Sequence, residues 1–181
     1  VLTNPPFGGE EEKSVQENFP VQLRTAETAW LFLQSVMARI ERSPHGRCGI
    51  VVPNSVLFDT GVGGKIKAEL MGKFNLHTVL RLPNGVFAPY TIIPSNVLFF
   101  EKGAPTRKIW YYRLDPGRNL GKTNPLNDDD LADFVELQRT FADSPRSWSV
   151  DAAAIDPETL DLSAKNPNGG GETNHRSPEA I

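Results

Sequence analysis

The residues Asn4-Pro5-Pro6-Phe7, directly after the apolar Val1-Leu2-Thr3, are the sharpest chemical signal in the sequence. An aromatic amine is a poor nucleophile because its lone pair is delocalised into the ring. Two acceptors held against its two N–H bonds would pull the nitrogen toward tetrahedral geometry and free that pair. The Asn4 amide oxygen can be one acceptor. The Pro5 carbonyl can be the other, on a backbone stiffened because Pro5 itself precedes a proline. Phe7 offers a flat face on which a base can stack, and a base inside a duplex must be flipped out to reach it. Attack on a sulfonium methyl leaves transient positive charge on nitrogen, which oriented neutral dipoles stabilise without a general base. The competing reading is structural: a strand-ending turn with a buried aromatic. Position favours chemistry, since ligands of open α/β sheets bind beyond the carboxyl ends of the strands.

The elements that must hold this motif can be read along the chain. Val1 to Thr3 reads as the end of a buried strand, stopped by prolines that donate no ladder hydrogen bond. A strand needs neighbours and a preceding turn, so this beginning predicts that the chain is a fragment. Residues 8–20, with Glu10-Glu11-Glu12, read as a mobile, solvated loop. Ala26, Ala29, Trp30, Leu33, Val36, Met37 and Ile40 form one helical stripe, ended by Ser43-Pro44-His45-Gly46. The wholly apolar run from Cys48 to Val52 predicts a central strand covered on both faces.

A glycine-rich turn and a second helix through Ile66, Leu70, Met71 and Phe74 follow. Strands are expected over 76–82, 96–100 and 108–112, with residues 83–94 a loop. The short link Gly103-Ala104-Pro105-Thr106 predicts a hairpin between the last two. Asn127 caps a helix expected over 128–141, and from Ser144 the pattern weakens. Residues 166–181, rich in Pro, Gly, Asn and charge, are expected to be disordered. The sum is an α/β sheet that turns antiparallel at one edge.

With 181 residues, a net charge of −3 and one cysteine, the composition is that of an ordinary globular domain. It excludes a protein that coats nucleic acid by bulk charge, though not a local basic face. Cys48 alone excludes a disulfide framework and a multi-cysteine zinc site, and suits the cytoplasm. No apolar stretch is long enough for a membrane span, and the opening VLTNPPF does not read as a leader peptide.

Other features have plainer readings. Gly61-Val62-Gly63-Gly64-Lys65 lacks the Ser or Thr that a P-loop needs after its lysine, since Ile66 stands there. It reads as a loop and helix start, with Lys65 and Lys67 available to DNA phosphates. Asp128-Asp129-Asp130 behind Asn127 suit the positive end of a helix, without a metal. His45, His77 and His175 lack ligand spacing, and no metal is expected. Cys48 is expected to be buried and inert. Trp110-Tyr111-Tyr112 reads as core sooner than as a base-stacking platform.

Taken together, the chain resembles the S-adenosylmethionine-dependent amino-methyltransferases, and within them the modification subunit of type I restriction–modification systems. The likeness rests on Thr3-Asn4-Pro5-Pro6-Phe7-Gly8, the helix from Glu27 to Met37 and Gly49-Ile50-Val51-Val52-Pro53-Asn54. It continues through Leu82-Pro83-Asn84-Gly85-Val86-Phe87-Ala88-Pro89-Tyr90 and Ser95 to Gly103. Asn124-Pro125-Leu126, Arg146-Ser147-Trp148 and the stretch from Asp161 to Asn168 extend it, in order. The resemblance implies the C-terminal half of a Rossmann-like methyltransferase sheet with an antiparallel edge, over residues 1–115. A helical C-terminal extension over 116–165 and the tail 166–181 would follow.

It implies methyl transfer from S-adenosylmethionine to N6 of a flipped adenine in duplex DNA. Asn4, Pro5, Pro6 and Phe7 would be catalytic, Asn4 would also border the cofactor, and Phe87 or Tyr90 would be a second aromatic at the base. Expected partners are a specificity subunit, a restriction (nuclease) subunit and a second methyltransferase subunit. The family's cofactor-binding glycine loop is absent from this sequence, so the chain alone is expected to bind cofactor weakly or not at all and to be inactive. The alternatives are a methyltransferase acting on RNA or on a protein glutamine, and a non-catalytic scaffold fragment.

Overall fold

The computed structural model describes residues 1–168. Its strands are β1 (Leu2–Thr3), β2 (Arg47–Pro53), β3 (Phe74–Arg81), β4 (Ser95–Lys102), β5 (Lys108–Arg113) and β6 (Ser147–Asp151). They form one mixed sheet in the order β1-β2-β4-β3-β5-β6. Strands β1, β2, β3 and β5 run the same way, while β4 is antiparallel to both its neighbours and β6 is antiparallel to β5. The antiparallel edge expected from the strands over 96–100 and 108–112 is formed instead by β6, which comes from the stretch expected to be a helical extension. A second antiparallel strand, β4, lies inside the sheet.

The expected hairpin does not form. Strand β3 lies between β4 and β5, so residues 103–107 must cross its beginning. Two strand spacings are about 10 Å, within reach of five extended residues. Thr106 fixes the crossing. Its hydroxyl accepts from the Leu76 amide at 2.9 Å and donates to the Phe74 carbonyl at 2.8 Å. Its own amide donates to the Met71 carbonyl at 2.8 Å. A short link read as a turn is thus a strap tied to β3 by polar groups.

The helices are α1 (Lys13–Gln16), α2 (Thr28–Glu41), α3 (Ser55–Phe58), α4 (Val62–Lys73) and α5 (Asp128–Gln138). Trp30, Leu33, Met37 and Ile40 of α2 and Ile66 and Leu70 of α4 share a buried cluster with Ile50, Leu76, Val79, Leu98 and Tyr111. Phe134 of α5 packs on the other face with Leu80, Trp110 and Tyr112. Alternate residues of β5 serve the two faces, the period-two consequence of strand geometry. In β3 the alternation slips between Leu76 and Thr78, where a bulge shifts the register.

Helix α5 ends at Gln138, short of the expected Phe141, whose backbone turns left-handed at φ 52°. Its start is as expected. Asn127 accepts from the Asp130 amide, and Asp130 accepts from the Asn127 amide, a reciprocal cap. Strand β6 comes from the weakly patterned region after Ser144, where Trp148 stacks on Tyr111 with centroids 5.4 Å apart. Of the expected disordered tail, residues 169–181 and with them His175 lie outside the described residues. Residues 166–168 are docked: Asn166 donates to the Pro145 carbonyl at 2.9 Å. Among the described residues β1 pairs with β2 alone, and Leu2 is 84% exposed. No helix of the described residues is long and apolar enough to cross a membrane.

Candidate active site

The four parallel strands deliver their carboxyl ends to one rim of the sheet. There β1 ends at Thr3, paired with Ile50, and the motif follows. Pro5 is buried, Phe7 half-buried, and Asn4 and Pro6 are exposed. Gly8 turns the chain at φ 70°, a conformation that costs glycine nothing. The next residues are not the mobile loop expected from their charge. The Thr28 amide donates to the Gly9 carbonyl at 3.0 Å, and the Glu11 amide donates to Ala26 at 2.8 Å. Thr28 also donates its hydroxyl to the Glu11 carboxylate at 3.3 Å. The motif is thus tied to β2 before it and to the start of α2 behind it. Its short backbone has two fixed ends.

The loop 83–94 faces it from the other side. Phe87 meets Phe7 edge to face, with centroids 6.3 Å apart and planes at 76°, a geometry that ring quadrupoles favour. Between the two expected stacking residues, the fold brings Phe87 to the motif and leaves Tyr90 93% exposed. Turn hydrogen bonds hold Phe87 in place: Ala88 donates to Gly85 at 3.0 Å, and Tyr90 to the Phe87 carbonyl at 2.9 Å. Gly85 sits at φ 80°, and a Cβ there would stand 2.6 Å from the Leu120 carbonyl oxygen. Only glycine permits this approach of the loop to residues 115–125.

The end of β2 joins the two halves. Asn96, almost wholly buried on β4, donates to the Asn54 side chain at 3.1 Å. The Asn54 amide donates to the Pro94 carbonyl at 2.8 Å. Neither asparagine was singled out as a site residue. The signal available was an amide residue, Asn96, opening a run otherwise made of Val, Leu and Phe.

Carboxylates gather behind the motif. Asp59 accepts from the Trp30 indole at 3.3 Å. Partial burial, with the nearby charges of Asp59 and Glu10, raises the Glu27 pKa above the usual carboxylate value. Gly63 lies against the Trp30 ring, where a Cβ would come within 2.6 Å. The glycine turn therefore serves core packing.

One expectation fails outright. Lys65 is exposed, but Lys67 is wholly buried and donates to the Leu57 carbonyl at 3.0 Å, so it cannot meet a phosphate. Burial lowers its pKa, against the raising effect of Asp161 and Asp59. Trp110, Tyr111 and Tyr112 are core, each at most 1% exposed. Cys48 is buried, which pushes its thiol up to about 11, far from a reactive thiolate. Asp130 is occupied by its cap and by an ion pair with Arg118. His45 and His77 stand apart, and no three potential metal ligands gather among the described residues. A hollow of about 660 Å³ lined by Leu2, His77 and Phe141 lies at the amino-terminal rim, away from the motif.

Known proteins share this fold and much of this sequence. The type I restriction enzyme EcoEI methylase subunit of Escherichia coli is 39% identical over 191 aligned positions, covering all of this chain and 39% of that protein. A structure of a modification subunit ascribed to a type I restriction enzyme of Vibrio vulnificus superposes with a TM-score of 0.86. It is 43% identical, over 93% of this chain and 38% of that one. A structure from work on assembly of the type I restriction–modification system gives a TM-score of 0.89 at 38% identity, over 99% of this chain and 39% of that one. The chain thus spans about two fifths of the length of these relatives. The family model described as N-6 DNA Methylase matches residues 1–176, strands, motif and facing loop included. This chain belongs to the N-6 DNA methylase family.

Proposed function

We propose that this chain is the base-binding part of an adenine-N6 DNA methyltransferase, the modification subunit of a type I restriction–modification complex. One observation carries the reading: Phe7 and Phe87 meet at the carboxyl rim beside an exposed Asn4 whose backbone is anchored at both ends. The arrangement supports the following chemistry. An adenine swung out of the duplex stacks against the aromatic pair. The Asn4 side-chain oxygen and the Pro5 carbonyl accept its two amino hydrogens. The nitrogen lone pair then becomes available, and neutral dipoles stabilise the positive charge formed on nitrogen. The amino proton leaves afterwards to solvent.

S-Adenosylmethionine, when bound, supplies an electrophilic methyl group. The residues present fit only the substrate side of such a site. Asn4 can border the cofactor, but the glycine turn at 61–64 is filled by Trp30 and begins no strand-to-helix phosphate loop. Residues 1–115 act as the catalytic part and 116–165 as the extension that returns β6 to its sheet. The assembled enzyme works in the cytoplasm, with duplex DNA, a specificity subunit, a second methyltransferase subunit and a nuclease subunit as partners.

The test is transfer of labelled methyl groups by the full-length protein in its native complex, with duplex DNA, ribosomal RNA and protein offered in parallel. Label in the adenine of DNA is the expected result. Label in RNA or in glutamine, with none in DNA, contradicts it.

A further inference from the structure

The loop 83–94 has an inner end and an outer end. The inner end holds Phe87 against Phe7. At the outer end Tyr90 is 93% and Ile92 87% exposed, the most exposed large apolar side chains of the described chain. Among the described residues nothing buries them, yet the loop beneath them is built. Tyr90 and Thr91 both donate backbone hydrogen bonds to the Phe87 carbonyl, at 2.9 and 3.2 Å, and Ile93 donates to the Thr91 hydroxyl at 3.0 Å. Ser95 donates its hydroxyl to the Ile93 carbonyl at 2.9 Å. Prolines at 89 and 94 narrow the backbone further. A planar ring and a branched aliphatic are therefore held out, stiffly, one turn away from the aromatic pair.

We propose that Tyr90 and Ile92 enter the duplex as a wedge, filling the gap that the flipped adenine leaves in the base stack. This rests on the methyltransferase reading of the Asn4–Phe7 motif. Removing a base from the stack exposes two base faces, and apolar side chains inserted at such steps replace the lost contacts. A protein surface is the other natural occupant for exposed apolar groups, but charge favours DNA. Residues 82–94 contain no carboxylate to repel phosphates. The neighbouring segment, touching this loop at Gly85 and Leu120, carries exposed Arg113 and Lys122 against one exposed carboxylate, Asp115. These suit phosphates flanking the opened step. Phe87 and Tyr90 thus divide the work that a single second aromatic was expected to do.

The experiment uses the full-length protein in its native complex and a duplex carrying the site that the wild-type complex methylates. One set of duplexes pairs the target adenine with thymine, another mispairs it, and a third carries 2-aminopurine at the target position. The Tyr90→Ala/Ile92→Ala double variant is expected to methylate the paired site ~10-fold more slowly, and the mispaired site within about twofold of wild type, because a mispaired base costs less to flip. The 2-aminopurine signal of the variant should fall in parallel, and Tyr90→Phe should retain it. Equal rates for variant and wild type on both duplexes would overturn the wedge alone. Loss of complex assembly or of thermal stability in the variant would make the loop a protein interface, and would also overturn it. A wild-type complex that methylates RNA or protein but not DNA would overturn the functional reading itself, and the wedge with it.

Discussion

Phe7 and Phe87 stand edge to face, 6.3 Å between ring centroids, one on the turn after β1 and the other on the loop before β4. Their contact ties the two walls of the proposed base site together. Truncating either to alanine should weaken retention of the flipped base. In a double-mutant cycle the pair should couple by ~0.5–1.5 kcal/mol, the range for aromatic contacts. The readout is the KM for duplex DNA of the full-length complex. Strict additivity would show that the walls act independently.

Thr106→Val tests the strap over β3. The substitution keeps the shape and removes the hydroxyl, leaving the buried Leu76 amide and Phe74 carbonyl without that partner. Denaturant titration should show a loss of ~1–3 kcal/mol, the cost of unmet buried polar groups. Thr106→Ser should retain most of the stability.

His77 should give the fold a pH dependence whose sign follows from its burial. Burial lowers its pKa below the ordinary 6.5, with Arg47 acting in the same direction and Glu101 opposing. The unfolded chain then binds the proton more tightly than the folded one. Stability is complete above about pH 6.5 and is lost as pH falls toward the lower, folded-state pKa. Thermal melts from pH 8 to 5 should show this slope, and His77→Gln should flatten it.

Lys67 is a buried lysine that donates a hydrogen bond to the Leu57 carbonyl. That carbonyl also receives the Leu162 amide at 2.8 Å, so it keeps a partner without the lysine. Lys67→Met should therefore be neutral or raise stability by ~1 kcal/mol, as replacement of buried charge by apolar volume often does. A large loss in urea titration would show that the ammonium is a structural pin.

What the sequence made legible follows from how local each signal is. The stripe of α2 and the cap at Asn127 depend on residues within one or two turns, and both stand close to where they were expected. The motif was legible because prolines and an asparagine after an apolar run carry their geometry with them. Pairing between distant strands was not. Nothing in Gly103-Ala104-Pro105-Thr106 states that β3 must pass beneath it, because that contact is made by a threonine hydroxyl to backbone. Lys67 misled in the same way, since a lysine near glycines looks solvent-facing until the helix register turns it inward. That Phe87 and not Tyr90 reaches Phe7 needed the loop's path, which Gly85 and its approach to Leu120 determine. Glu10-Glu11-Glu12 suggested mobility from charge alone, whereas backbone hydrogen bonds to α2 decide the matter.

The central claim is that Asn4, held at the rim beside Phe7, activates an adenine amino group. The measurement that tests it most directly is nucleoside analysis of duplex DNA incubated with the full-length complex and S-adenosylmethionine, comparing wild type with Asn4→Ala. The account predicts N6-methyladenine from the wild type and a loss of at least ~100-fold in the variant, as when an oriented dipole is removed from a developing charge, with complex assembly intact. Undiminished N6-methyladenine from the Asn4→Ala complex would contradict it.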